Sequence, residues 1–305
     1  MLFIGVTTSA SAARRLFPSW RDALGLPPDR RLEGVDLPLG SPPEAFRSVV
    51  RRLRDDPDVA GALVTSHKLA IHAAASDLLD ATDDLATLCG EVGCLSRATG
   101  RLVGHALDPL TAMAAFDRLV PDTHWARHPR ARVLCLGAGG AGVAIGTGLA
   151  RRDPGRPGPS GLTVADRDPA RVDPAMATHL RAGGRADWVT GVETSGDAAL
   201  ASGLVSALPA GSVVINATGM GKDLPGSPIR DDARFPEAGV AWDLNYRGER
   251  RFLGQAGAQA AARGLLVADG WDYFAISWAL HVVRVFGADE TPSSLSRAIA
   301  VTTRD

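Results

Sequence analysis

The stretch Arg132-Val133-Leu134-Cys135-Leu136-Gly137-Ala138-Gly139-Gly140-Ala141-Gly142 constrains this chain more than any other. Its apolar first half has the length of a buried parallel strand. Its glycine-rich second half reads as a tight turn that opens a helix. Glycines at such a turn let backbone N–H groups approach a pyrophosphate, and the helix N-terminus favours the negative charge. Gly137, Ala138, Gly139, Gly140 and Ala141 are therefore the expected cofactor-binding residues of a dinucleotide site. The turn begins only at residue 137, so a whole domain precedes it. That order predicts a substrate domain first and a dinucleotide domain second.

A length of 305 residues accommodates two domains, each with its own core. Apolar residues make up 45% and charged residues 22%, as in ordinary globular proteins. The net charge of −1, without a basic block, argues against nucleic acid or an anionic membrane as the main partner. The N-terminal Met1-Leu2-Phe3-Ile4-Gly5-Val6 lacks a basic leader region, and no apolar run reaches membrane-span length. Cys89, Cys94 and Cys135 are odd in number and sparse, which fits a reduced, cytoplasmic setting. No second Cys or His pair stands at ligand spacing, so Cys89 and Cys94 read as core thiols and no metal is expected. The expected partner is a small molecule, with the chain a monomer or homodimer.

The first hundred residues read as strand–helix units. Strands are expected at 2–6, 32–37 and 59–65, with helices at 11–24, 43–54 and 69–79. Segments 91–95 and 102–104, joined by the turn 97–100, read as a hairpin. A helix from Asp108-Pro109 to Leu119 then bridges the domains. From Arg132 strands (132–136, 161–165, 212–215, 240–244) alternate with helices (140–151, 170–182), predicting a parallel sheet covered on both faces. Residues 152–160, rich in Pro, Gly and charge, read as an exposed, mobile loop. Residues 271–286 form a long apolar helix expected to return to the first domain. The fold class is thus α/β: an N-terminal α/β substrate domain (1–108, completed by 271–305) and a Rossmann-type dinucleotide-binding domain (109–270).

The strand Leu162-Thr163-Val164-Ala165 ends at Asp166, near the distance from the glycines at which an acid binds the adenosine ribose. A carboxylate there repels a 2′-phosphate, whereas Arg167 and Arg171 offer guanidinium groups to one. On the charge at the strand end, NAD is favoured over NADP. Asp166 also suits a helix cap or turn. Asn216-Ala217-Thr218 ends a later strand and either lines the cofactor crevice or forms an ordinary turn.

The residues now carry a resemblance. The chain resembles the shikimate/quinate dehydrogenase family over nearly its whole length. The family's Gly-x-x-x-x-x-Ser-x-Ser stretch reads Gly5-Val6-Thr7-Thr8-Ser9-Ala10-Ser11. Its Asn-Val-Thr-x-Pro-x-Lys reads Leu63-Val64-Thr65-Ser66-His67-Lys68, one residue shorter. Its Gly-Ala-Val-Asn-Thr reads Gly90-Glu91-Val92-Gly93-Cys94, and its Gly-x-Asn-Thr-Asp reads Gly104-His105-Ala106-Leu107-Asp108. Asp243-Leu244-Asn245-Tyr246 keeps Asp-Leu-x-Tyr, and Asp269-Gly270 opens a stretch in which Ser277 replaces the family's Gln.

By this resemblance Lys68 and Asp108 are the catalytic pair. Ser9, Ser11, Thr65, Tyr246 and Ser277 fall on substrate positions, and Leu244 and Gly270 on cofactor positions. Three amides that read ring hydroxyls are replaced by Leu63, Gly93 and Ser277, which points to a substrate other than shikimate. Trp271, Tyr273 and Trp278 either wall the pocket or pack the helix. A partly desolvated lysine is expected to have its pKa lowered toward the working range. Asp108 before Pro109 is equally a natural helix cap. The implied activity is an NAD(P)-dependent oxidoreductase interconverting alcohol and ketone on a small carboxylated, cyclic substrate. The alternatives are a reductase of C=N or one-carbon bonds on the same frame, or a non-catalytic dinucleotide-binding protein.

Overall fold

The structure, a computed structural model, describes residues 1–9, 11–97, 100–222, 224–288 and 290–304. It divides into two compact units, residues 1–111 with 275–305 and residues 112–274. The chain leaves the first unit within the helix Asp108–Leu119 and returns within the helix Trp271–Phe286.

The first unit holds strands β1 (Leu2–Gly5), β2 (Glu33–Asp36), β3 (Gly61–Val64), β4 (Ala81–Thr82), β5 (Cys94–Ser96) and β6 (Val103–His105). They form one sheet in the order β2-β1-β3-β5-β6-β4. β1 runs parallel to β2 and β3, whereas β5 is antiparallel to β3 and β6. The expected hairpin is therefore present; Ala98 and Thr99 of its turn lie outside the described residues. Helices α1 (Ala12–Ala23), α2 (Pro43–Asp55), α3 (Lys68–Ala75) and α4 (Asp84–Cys89) follow the strands. β1 and β3 are buried along their whole length, and Leu2, Ile4, Ala62 and Val64 share a core with Phe46, Val50 and Leu53 of α2. Apolar residues three and four apart on α2 turn one face inward.

The second unit contains most of α5 (Asp108–Leu119), then α6 (Asp122–Arg127), α7 (Gly140–Ala150), α8 (Pro169–Arg181), α9 (Ala198–Ser206), α10 (Arg251–Gly257) and α11 (Ala260–Arg263). Its strands are β7 (Val133–Leu136), β8 (Leu162–Asp166), β9 (Val189–Glu193), β10 (Val213–Asn216), β11 (Val240–Asp243) and β12 (Leu266–Ala268). All pairings are parallel, in the order β12-β11-β10-β7-β8-β9. The order reverses between β7 and β10, and ligands of open α/β sheets bind outside the strand ends at that switch point. Both β7 and β10 are fully buried, as parallel strands covered on two faces must be. Helix α12 (Trp271–Phe286) begins here, and its second part, with α13 (Pro292–Ala300), belongs to the first unit.

The loop 152–160 is exposed as expected and is also held by ion pairs. Most of it is exposed, yet Arg152 pairs with Asp117 and, at 3.0 Å, with Asp122. Arg156 reaches Asp117 at 3.0 Å and Asp122 at 2.9 Å, so two guanidinium groups bridge two carboxylates and tie the loop down.

Candidate active site

The glycine turn shows a separate reason for each glycine of its Gly-x-Gly-x-x-Gly core. Gly137 has φ +108°, a conformation that favours glycine. A Cβ at Gly142 would run into the Gly137 carbonyl. At Gly139, the N-cap of α7, a Cβ would meet only the Arg171 guanidinium at 3.9 Å, and no side chain caps the helix. Open space before an uncapped helix N-terminus fits a pyrophosphate. A Cβ at Gly137 would also press on the Ala217 carbonyl and Thr218 N, so the turn after β10 lies against the turn after β7.

Asp166, at the end of β8, is buried. Its Oδ2 accepts the Ala138 N–H at 2.7 Å and its Oδ1 the Asp168 N–H at 2.9 Å. The acid expected to read the ribose thus braces the glycine turn, while Arg167 and Arg171 lie exposed beside it. Asn216 is fully buried: its amide donates to Asp243 Oδ1 at 3.1 Å, and its Oδ1 accepts the Thr218 hydroxyl at 2.7 Å. Its side chain shapes the turn and leaves Ala217 and Thr218 half-buried at the strand end. Gly270 is required because a Cβ there would strike the Leu244 carbonyl.

In the first unit, Lys68 opens α3 and donates a hydrogen bond from Nζ to Asp108 Oδ2. Lys68 is half-buried and Asp108 buried. β3 and the start of α5 bring them together across 40 residues of sequence. Helix α5 begins at Asp108 itself. Burial acts to lower the lysine pKa, but the charges of Asp108 and Glu91 raise it, and the outcome lies above the ordinary lysine range. This corrects the expected lowering: one lysine faces two carboxylates, and their field exceeds the desolvation cost.

Glu91 and His281 join this cluster and were not among the expected site residues. Glu91 is 2% exposed, and its Oε1 has no hydrogen-bond partner. Burial pushes its carboxyl up to about 7, opposed by Lys68 and aided by Asp108. His281 lies on α12, one turn after Ser277. Its Nδ1 donates to the Ser277 carbonyl at 2.6 Å, leaving Nε2 buried and unpaired. Burial lowers its pKa to about 4, so the ring is neutral. Two signals were available in the sequence. Glu91 stands where the resembling motif has Ala, and arginine fills 31 of the 33 basic positions, leaving only Lys68 and Lys222 as lysines.

The remaining expected residues divide. Ser11 caps α1, accepting the Ala13 N–H at 3.3 Å, and Thr65 donates to the Ile4 carbonyl at 3.2 Å. Ser9 is exposed. Gly5 is needed beside Thr65, because a Cβ there would approach the Thr65 hydroxyl to 2.6 Å. Tyr246 lies in the second unit, packed on Phe274 and Trp271 with ring centroids 4.5 and 5.5 Å away. Trp278 is a core residue, stacked on Trp20 at 5.2 Å and edge-on to Phe3 at 5.0 Å. Tyr273 packs edge-on to Trp242. His67 donates from Nε2 to the Leu37 carbonyl, 2.7 Å away, and serves the packing. Cys89, Cys94 and Cys135 are not in disulfides, and burial raises the thiol pKa values of Cys94 and Cys135, the latter to about 12. Among the described residues, no helix is long and apolar enough to cross a membrane.

A doubly wound sheet with a phosphate-type turn, joined to a unit that holds a Lys–Asp ion pair, defines a dehydrogenase-type oxidoreductase. No model of a known protein family matches the chain. A curated relative, the shikimate dehydrogenase (NADP(+)) of Methylobacterium radiotolerans, is 30% identical over 236 residues, covering 76% of this chain and 73% of the relative. A solved structure of shikimate 5-dehydrogenase from Thermus thermophilus, in complex with NADP(H) and shikimate, is 26% identical with TM-score 0.67, covering 99% of this chain and 98% of that one. The 5-ketofructose reductase of a Gluconobacter species shares the fold at 20% identity and TM-score 0.67, over 98% of this chain and 96% of its own. The chain belongs to the shikimate dehydrogenase family, NAD(P)-dependent oxidoreductases acting on CH–OH groups.

Proposed function

We propose that this protein interconverts an alcohol and a ketone on a small, carboxylated, cyclic substrate other than shikimate, with the first unit binding the substrate and the second the dinucleotide. The observation that carries the reading is the Lys68–Asp108 ion pair in a chain where Leu63, Gly93 and Ser277 stand at the positions of the family's amides. A Cβ built at Gly93 would stand 3.7 Å from Lys68 Nζ, so the vacated amide position faces the pair directly. A site that reads a hydroxyl loses orders of magnitude in rate when the partner group is missing. Ser9, Ser11 and Thr65 are the proposed carboxylate ligands, and Ser277 borders the substrate.

A nicotinamide dinucleotide bound at the glycine turn supplies or takes the hydride. The chain's own groups handle the proton. Asp108 holds Lys68 Nζ in place and charged, and in the reductive direction Nζ gives its proton to the substrate oxygen. For the dinucleotide we favour NADP(H). The sequence preference for NAD rested on Asp166, whose two oxygens accept backbone N–H groups, while the exposed guanidinium groups of Arg167 and Arg171, the latter 3.4 Å from Asp168, stand at the same strand end to meet a 2′-phosphate.

The test is a reduction panel of cyclic keto acids with NADPH and NADH, with shikimate oxidation as the control. Turnover of a keto acid that Lys68→Ala lowers by roughly 100-fold or more supports the reading. Shikimate turnover exceeding that of every panel member, or full activity in Lys68→Ala, overturns it.

A further inference from the structure

Three polar groups surround the lysine of the proposed relay, and only Asp108 has a defined hydrogen bond to it. Glu91 enters the cluster from the loop after α4, where Val92 N–H donates to the Lys68 carbonyl at 3.1 Å. That backbone bond fixes the Glu91 segment beside the start of α3. The Glu91 side chain is enclosed, with Oε1 unpaired, and a buried acceptor without a partner costs about 1–3 kcal/mol. A small apolar residue would fill the place without that cost, and the resembling family motif has Ala there. An acid kept at such a cost, beside an amine, calls for a chemical role.

We propose that Glu91 is a positioning residue for Lys68 in an Asp108–Lys68–Glu91 relay: as a carboxyl it replaces the proton the amine gives away, and as the carboxylate left behind it holds the recharged amine in place. The inference rests on the proposed Lys68–Asp108 proton relay. When Lys68 Nζ passes a proton to the substrate oxygen, the neutral amine takes the proton held on the Glu91 carboxyl. Glu91 becomes a carboxylate and water reloads it. One proton moves at each step, and neither residue changes oxidation state.

The burial-driven rise of the Glu91 carboxyl to about 7 agrees with this role, since a proton is then available on it near neutral pH. The charged groups acting on Glu91 are Lys68 from α3 and Asp108 from α5. His281 on α12 acts on Asp108 and Lys68 and is neutral. The Asp108 hydrogen bond also gives Lys68 a direction: an amine held charged serves as the acid of ketone reduction.

The near-absence of lysine makes the test clean. The full chain labelled with [13C,15N]-lysine shows only two side chains, Lys68 and Lys222. Their titration is followed by NMR in the unmodified protein and in Glu91→Gln, Glu91→Asp and Asp108→Asn. Removing a carboxylate charge close to an amine lowers its midpoint by about 1 pH unit or more. Glu91→Gln is expected to lower the Lys68 midpoint by that amount and leave Lys222 unmoved, while Glu91→Asp restores most of the shift. Should Glu91→Gln fail to fold, Glu91→Ala is read in its place. An unchanged Lys68 midpoint in the Glu91 variants, alongside a lowered one in Asp108→Asn, overturns the proposal and leaves the Lys68–Asp108 pair standing. A Lys68 midpoint that neither residue moves overturns both.

Discussion

Replacing Asp166 by Ala separates a brace from a ribose reader. The carboxylate accepts two backbone N–H groups, one of them the buried Ala138 amide inside the glycine turn. Hydrogen bonds to a charged group contribute about 1.5–3 kcal/mol each, and a buried N–H left unpaired carries its full desolvation penalty. The half-buried end at Asp168 can recover water, so we expect the total loss near the lower end, about 3 kcal/mol. For a folding unit of this size that is a fall in Tm of roughly 6–12 °C. The assay is thermal denaturation together with titration of NADP+ and NAD+ by fluorescence. The turn holds the pyrophosphate, which the two dinucleotides share. Both affinities should therefore weaken in parallel, by about tenfold or more, equivalent to ~1.4 kcal/mol. An unchanged Tm with tighter NADP+ and weaker NAD+ would refute the reasoning, because that is the behaviour of an acid facing the ribose.

Trp278→Ala removes the ring stacked between Trp20 and Phe3 and should destabilise the first unit by about 3–5 kcal/mol, measured by urea denaturation. Two buried groups make opposite demands on pH. The folded-state pKa of His281 is lowered to about 4, so stability is lost as pH falls from the unfolded value of about 6.5. Glu91 is raised to about 7, so stability is lost as pH rises from the unfolded value of about 4.5. Each slope amounts to roughly 3 kcal/mol at full extent, and they oppose each other between pH 5 and 6.5. Glu91→Ala should leave stability rising with pH in that window and His281→Gln should leave it falling, as followed by Tm against pH. Gly93→Asn should fit, because a Cβ there meets Lys68 Cδ at an ordinary 3.5 Å. Together with Leu63→Asn and Ser277→Gln it should raise shikimate oxidation above that of the unmodified protein in a steady-state assay.

The dinucleotide-type unit was legible because its signals are local. β7, its glycine turn and α7 are contiguous, and their geometry follows from residues 132–150 alone. β9 and β12 were missed. They are edge strands with exposed and half-exposed residues, and Gly191 interrupts the pattern of β9 for the sake of close packing on Met176 and Val172. Lys68 and Asp108 were found through motif positions, and the sequence could not give the sign of the lysine shift. The rise comes from Asp108 and from Glu91, 40 and 23 residues away, acting through space against burial. Asp166 was identified at the right strand end, but the inward turn of its carboxylate is a tertiary fact. Ser11 shows the same limit, since one hydroxyl suits both a helix cap and a carboxylate.

The first unit is assembled from residues 1–111 and 275–305, and its aromatic core joins the two pieces. Trp20 stacks on Trp278 and donates from Nε1 to the Thr302 hydroxyl at 2.7 Å. During synthesis the chain emerges N-terminus first, so Phe3, Phe17 and Trp20 are on the ribosome's outer side long before their partners exist. The second unit, continuous from 112 to 274, can complete its sheet in that interval. The order of maturation therefore inverts the order of the sequence. The interval is also when an exposed aromatic face most needs a chaperone, and a chain cut short before α12 would never leave that state.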